Sequence, residues 1–250
     1  MSRSTPLVRI AFVLGVASAI AIACAFPYLL ALNPGLLESS PVSPTFLVVA
    51  QAAQTGVMCF LFGWAGLKLG DPLGLGAPWL AAWLYGRSGP ITSSWLSAAL
   101  LGALGSIGIL GLVAVFGATP DIASTHVAAP WKGLLASPFG AIAEETALRV
   151  FLLGSVAWLL ARTTGGAPRA WVIATAIAIA ALVFGLSHLP LLARIEPLTA
   201  AIIARAIIYN SLLGLAFGWL YWKRGLEHAM LAHFCADLVV HVAAPLAMGG

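Results

Sequence analysis

The chain has 250 residues, of which 61% are hydrophobic and only 8% charged, and its mean hydropathy is +1.02. A soluble domain carries about 25% charged residues, so this composition excludes a soluble globular fold and implies an integral membrane protein. The net charge of +4 comes from basic residues scattered singly, with no basic stripe interleaved with aromatics; the lipid bilayer is therefore an expected partner and nucleic acid is not.

A bilayer core takes about 20 apolar residues per helix, and seven runs are long enough: 7–32, 45–69, 94–117, 131–161, 168–190, 198–222 and 226–248. The first follows a basic start and continues to Leu32, beyond the apolar length of a signal peptide, so it reads as a first transmembrane helix. Between the second and third runs lies "PWLAAWLYG" (78–86), short enough to be an interfacial or re-entrant segment with aromatic anchors. If it enters the membrane, the count becomes eight. Segments 33–44, 118–130, 163–168 and 193–197 are rich in Pro, Gly, Ser or charged residues and read as loops. Cys24, Cys59 and Cys235 stand singly in apolar runs and read as packing residues.

The expected fold class is all-α, a polytopic transmembrane bundle, because the runs are far too long for barrel strands and a lipid-exposed chain must satisfy its backbone internally. No linker or repeat interrupts it, so 1–250 reads as one membrane domain, with N-terminal helices over 1–120 and a core over 130–240. Arg3, Arg9, Lys68, Arg87, Arg162, Arg169, Lys223 and Arg224 fall on one side of the runs, and only Lys132 and Arg194 on the other. The positive-inside rule then makes the N-terminus cytoplasmic. The high Ala, Gly and Leu content suggests a GC-rich bacterium and hence its inner (plasma) membrane.

The fourth run carries "AEETALR" (143–149). A charged residue at the centre of a membrane helix costs about 2.5–3.5 kcal/mol on the insertion scale, so Glu144, Glu145 and Arg149 must be compensated inside the bundle. Glu145 and Arg149 are i and i+4, in the favourable acid-before-base order, and read as a structural pair. Glu144, about 100° further round the helix, points to another neighbour. The fifth run ends "ALVFGLSHLP", placing Phe184 and His188 at i, i+4, and in the seventh His233, Asp237 and His241 recur every four residues. Taken singly, these have plain readings: His188 as a packing or snorkelling group, His241 as a residue at the exit of the last helix, His228 as an interface residue beside Lys223 and Arg224. Arg205 reads as a counter-ion for Glu144 or Asp237, and His126 lies in a loop. Together, carboxylates and histidines on three helices suit hydrolysis inside a membrane: a carboxylate takes a proton from water, an imidazole orients it, and a second pair stabilises the oxyanion.

"EETALR" (144–149), "FGLSH" (184–188) and "HFCAD" (233–237) resemble, in order and on successive helices, the EExxxR, FxxxH and HxxxN/D motifs of the type II CAAX prenyl endopeptidase and bacteriocin-processing (CPBP or Abi) family of intramembrane proteases. The resemblance covers about 130–240. It implies a glutamic endopeptidase with Glu144 as general base, His188 as its partner in holding the water, and His233 with Asp237 as the oxyanion or substrate-positioning pair. Glu145, Arg149 and Phe184 are the implied support. The third motif ends in Asp where well-characterised members have Asn, and an ionised Asp cannot donate to an oxyanion; orienting His233 is its alternative role. Glu144, His188, His233 and Asp237 are zinc ligands by residue type, but there is no HExxH motif and the resemblance implies no cofactor. The implied partner is a membrane-associated protein or peptide cut near its C-terminal region. The alternatives are a proton-coupled carrier using the same groups, against which stands the absence of broken helices in two matching halves, and a non-catalytic immunity or scaffold member of the family. The positions of His188 and Glu144 along their helices lead to the expectation that the site opens to the non-cytoplasmic face.

Overall fold

The computed structural model describes residues 4–33, 35, 37, 41–86, 89, 94–123 and 128–247. Arg3 and Arg87, used in the charge tally, and His126 lie outside the described residues.

Hydropathy and length dictate long helices, and no strand occurs among the described residues. Helices α1 (Ser4–Leu32), α2 (Pro44–Gly70), α4 (Trp95–Phe116), α8 (Ala170–Ser187), α10 (Ala200–Arg224) and α11 (Leu226–Leu238) form most of the bundle. The fourth run is a composite of α6 (Pro130–Phe139), two π-helical stretches at Gly140–Glu144 and Thr146–Leu153, and α7 (Gly154–Ala161). Among the described residues seven segments are long and apolar enough to cross a membrane, so the protein is an integral membrane protein with an all-α polytopic fold. The 78–86 segment forms a short helix, α3 (Pro78–Tyr85), whose eight residues are too few to span.

Helix starts follow local chemistry. The hydroxyls of Ser43, Ser94 and Thr199 accept from the backbone N–H three residues on, capping α2, α4 and α10. Small residues then allow the helices to close. A Cβ at Gly66 in α2 would collide with the backbone of Val150 and Phe151, and one at Gly102 in α4 with the carbonyl of Ala232 in α11. Close backbone approach of this kind drives association in a bilayer, where lipid is as apolar as the side chains. The resulting core packs Val150 and Leu153 of the composite fourth span with Ile173, Phe184, Phe217 and Leu226 of its neighbours. Phe12, Val49, Leu104 and Val115 remain exposed on the outer helices, as expected of surfaces that face lipid.

Between α4 and α6 lies the turn α5 (Pro120–Ala123), and between α8 and α10 lies α9 (Leu189–Ile195). After α11 the chain winds as a π-helix over Val239–Ala243 and ends in α12 (Ala244–Ala247). Cys24, Cys59 and Cys235 are free, and the Cys59 thiol faces the Ala143 carbonyl at 3.8 Å.

Candidate active site

The composite span presents its carboxylates where its winding is widest. Pro138 within α6 has no N–H for the helical ladder, and the Thr146 hydroxyl donates back to the Ile142 carbonyl at 2.6 Å, a local bond that competes with regular helix. Between them the bonding passes to i→i+5, a departure frequent at functional sites. Glu145 and Arg149 nevertheless stay on one face, with Glu145 Oε2 3.2 Å from Arg149 Nε and both side chains fully buried. The guanidinium also lies 4.9 Å from the ring centre of Phe184 and 5.6 Å from that of Phe217. One carboxylate and two aromatic faces therefore compensate the buried cation.

Glu145 has a second partner that helical spacing did not disclose. Its Oε1 lies 2.8 Å from His233 Nδ1, so Nδ1–H donates to the carboxylate and Nε2 is turned the other way. That nitrogen faces Glu144 Oε2 at 3.9 Å and Asp237 Oδ1 at 3.6 Å. The imidazole is stacked on Phe217 at 4.8 Å and meets the edge of Phe184 at 5.6 Å. His233 is thus held by a stacked ring, an edge contact and a hydrogen bond at one nitrogen.

His188 is set by the end of α8. With Pro190 starting the next short helix, the His188 backbone N–H turns to Leu186, and the Phe184 carbonyl accepts instead from the Ser187 hydroxyl and His188 Nδ1–H, both at 2.8 Å. The other ring nitrogen, Nε2, is left as the acceptor of the neutral imidazole.

Glu144, His188, His233 and Asp237 line one cavity of about 210 Å³. Glu144 retains 31% of its side-chain exposure and Asp237 19%, against none for Glu145. Of the adjacent glutamates, only Glu144 reaches the cavity. Tyr28, Leu32, Ile122 and Leu191 complete its wall toward the end of the bundle formed by the C-terminus of α1. Gly140 lies where any larger residue would intrude: a Cβ there would stand 2.7 Å from Asp237 Oδ2 and 3.0 Å from His233 Nε2. Among the described residues, no cluster of three or more His, Cys, Asp or Glu side chains forms a metal-binding group.

Three expectations are corrected. Arg205 is no counter-ion: its Nη1 reaches the Ala118 carbonyl at 3.4 Å, and among the described residues it pairs with neither Glu144 nor Asp237. His241 does more than mark a helix exit, since the Tyr28 hydroxyl lies 2.9 Å from its Nδ1 and both line the cavity. His228 does not stand in the open interface; it is 1% exposed and stacked on Trp95 at 4.2 Å. Phe217, Tyr28 and Asn210 also reach this site without any motif to mark them. Asn210 carried the one usable signal, a lone amide within an apolar run.

No curated protein and no solved structure matches the chain. Residues 126–239 match the family model described as type II CAAX prenyl endopeptidase Rce1-like. That segment, a little under half of the chain, holds Glu144, Glu145, His188, His233 and Asp237, and over it the chain is similar to the Rce1-like family.

Proposed function

We propose that the protein is an intramembrane endopeptidase that hydrolyses a peptide bond near the C-terminal region of a membrane-associated substrate through a water activated by Glu144. The observation that carries this reading is the division of labour between the two glutamates: Glu145 is fully buried, ion-paired with Arg149 and hydrogen-bonded to His233, while Glu144 faces the cavity. A water between Glu144 and His188 Nε2 has an acceptor for each of its hydrogens and a lone pair left for the carbonyl carbon. Attack forms the C–O bond and leaves the carbonyl oxygen as an oxyanion. Glu144 takes the water proton and returns it to the departing amine as the C–N bond breaks.

In its protonated form His233 donates through Nδ1 to Glu145 and through Nε2 toward the oxyanion, with Asp237 orienting it; the second amide hydrogen of Asn210, whose first goes to the Ala206 carbonyl at 2.9 Å, is a further donor. No metal takes part in this scheme. The N-terminus is cytoplasmic in our reading, in a bacterial inner membrane, and the cavity, lying toward the far end of α1, serves substrates at the outer face.

The test is cleavage of a library of membrane-tethered peptides by the purified protein in detergent, for wild type and Glu144→Gln, with and without a chelator. Cleavage that persists with chelator and vanishes in the variant is expected. Cleavage by the variant at the wild-type rate removes the general-base role, and loss to the chelator removes the metal-free scheme.

A further inference from the structure

A second cavity, of about 410 Å³, lies where α10 ends and α11 begins, and it shares no lining residue with the candidate active site. Its lower wall is apolar: Leu7 and Ile10 from α1, Leu67 from α2 and Leu75 from the turn that follows. Its charged lining residues are Asp71 and, at the end of α10, Lys223 and Arg224. Asp71 and Lys223 are exposed and Arg224 is half-buried, so the charge lies at the mouth and the apolar surface runs inward. Lys223 Nζ sits 3.4 Å from the ring centre of Trp222, another lining residue.

His228 makes this more than a cleft between helix ends. It lines the cavity and is 1% exposed. Its ring face is stacked on Trp95, with the planes 5° apart. The Arg224 backbone is the ring's one neighbouring hydrogen-bonding group, and even with it neither ring nitrogen is well satisfied among the described residues. A buried imidazole with so little in exchange for its lost hydration is unfavourable, and here it lines a cavity with two cationic side chains and apolar ones.

We infer that this cavity binds the phosphate of a glycerophospholipid, with Lys223 and Arg224 at the phosphate oxygens, His228 donating from the buried side, and an acyl chain along Leu7, Ile10 and Leu67. An arginine fork and a lysine point charge are the usual partners of phosphate. The apolar wall, at the end of membrane helices, favours a lipid over a free anion. This site is independent of the proposed peptidase activity.

The test measures thermal unfolding of the full-length protein in detergent during titration with phosphatidylglycerol, with diacylglycerol of the same chains, and with inorganic phosphate. Phosphatidylglycerol is expected to raise the unfolding temperature saturably, and the other two to leave it unchanged. Lys223→Gln, at an exposed position, and His228→Phe, which keeps a ring on Trp95 and removes both nitrogens, are each expected to weaken the apparent affinity roughly tenfold, the loss of one charge-assisted hydrogen bond. An equal response to diacylglycerol overturns the phosphate assignment. An equal response to inorganic phosphate overturns the lipid assignment. Unchanged affinity in both variants shows the lipid binding elsewhere and overturns the site.

Discussion

The fourth and fifth spans differ from the second and third in what surrounds them. In the most apolar stretches of Pro130–Thr164 and Ala170–Ile195, 44% of residues are buried within the protein, against 11% for Pro44–Leu73 and 17% for Trp95–Phe116. The enclosed spans carry Glu144, Glu145, Arg149 and His188; within Trp95–Phe116 there is no charged residue at all, and in Pro44–Leu73 the charged Lys68 and Asp71 lie at one end. Lipid offers no hydrogen bond to an ionised group, so a bilayer protein confines such groups to places where protein supplies the partner. In these four spans the charged groups away from the helix ends sit where protein encloses the helix, the reverse of the soluble case.

The comparison breaks most visibly if the enclosed glutamates are interchangeable. Glu144→Gln keeps the shape of the side chain and removes its basicity, so cleavage should fall by about 10²–10⁴-fold, the usual worth of a general base, with thermal unfolding unchanged. Equal activity in wild type and variant would show that Glu144 only lines the cavity.

Arg149→Ala probes the same interior through stability. It leaves Glu145 buried with only His233 as partner, and breaking a buried pair by removing one member costs about 3–5 kcal/mol. Unfolding in detergent should shift accordingly, and Arg149→Lys should recover only part of the loss, because an ammonium cannot lie flat against Phe184 and Phe217 as a guanidinium does. Wild-type stability in Arg149→Ala would mean that water reaches Glu145.

How much of this was legible beforehand depended on the kind of signal. Glu145 with Arg149 and Phe184 with His188 are one-turn pairs, and the i, i+4 rule reads them directly. The His233–Glu145 hydrogen bond joins residues 88 apart in the chain, and local spacing says nothing about it. Phe217 was invisible because a phenylalanine in an apolar helix is unremarkable until its neighbours are known. The burial of His228 was not legible because flanking Lys223 and Arg224 suggest an open interfacial position, whereas the turn at Gly225 carries the next helix inward and stacks the ring on Trp95. The π-helical winding of 140–153 had only Pro138 and Thr146 as hints, and neither specifies i→i+5 bonding.

Gly140→Ala should have an intermediate effect and would sharpen the contrast between site and scaffold. The added methyl would stand 2.7 Å from Asp237 Oδ2 and 3.0 Å from His233 Nε2, so those side chains must shift. Overpacking costs about 1–3 kcal/mol. Since the displaced atoms belong to the site, cleavage should fall by more, in free energy, than stability does. A variant that loses stability but cleaves normally when folded would show that neither His233 nor Asp237 needs its present position.

The smallest effect should come from the outer helices. Leu104 in α4 is 61% exposed, and in a soluble protein its truncation would be judged by the water it no longer meets. In a bilayer the exposed face meets acyl chains as apolar as leucine itself, so burial in lipid is the same for the folded protein and for its separated helices. Leu104→Ala should change unfolding in a bilayer-like environment by no more than about 0.5 kcal/mol and leave cleavage unaltered. On the same helix, Gly102→Ala meets the Ala232 carbonyl and should separate α4 from α11. A Leu104→Ala loss as large as that of Gly102→Ala would mean that the outer face of α4 packs against protein, and that the second copy or partner supplying it belongs to the fold.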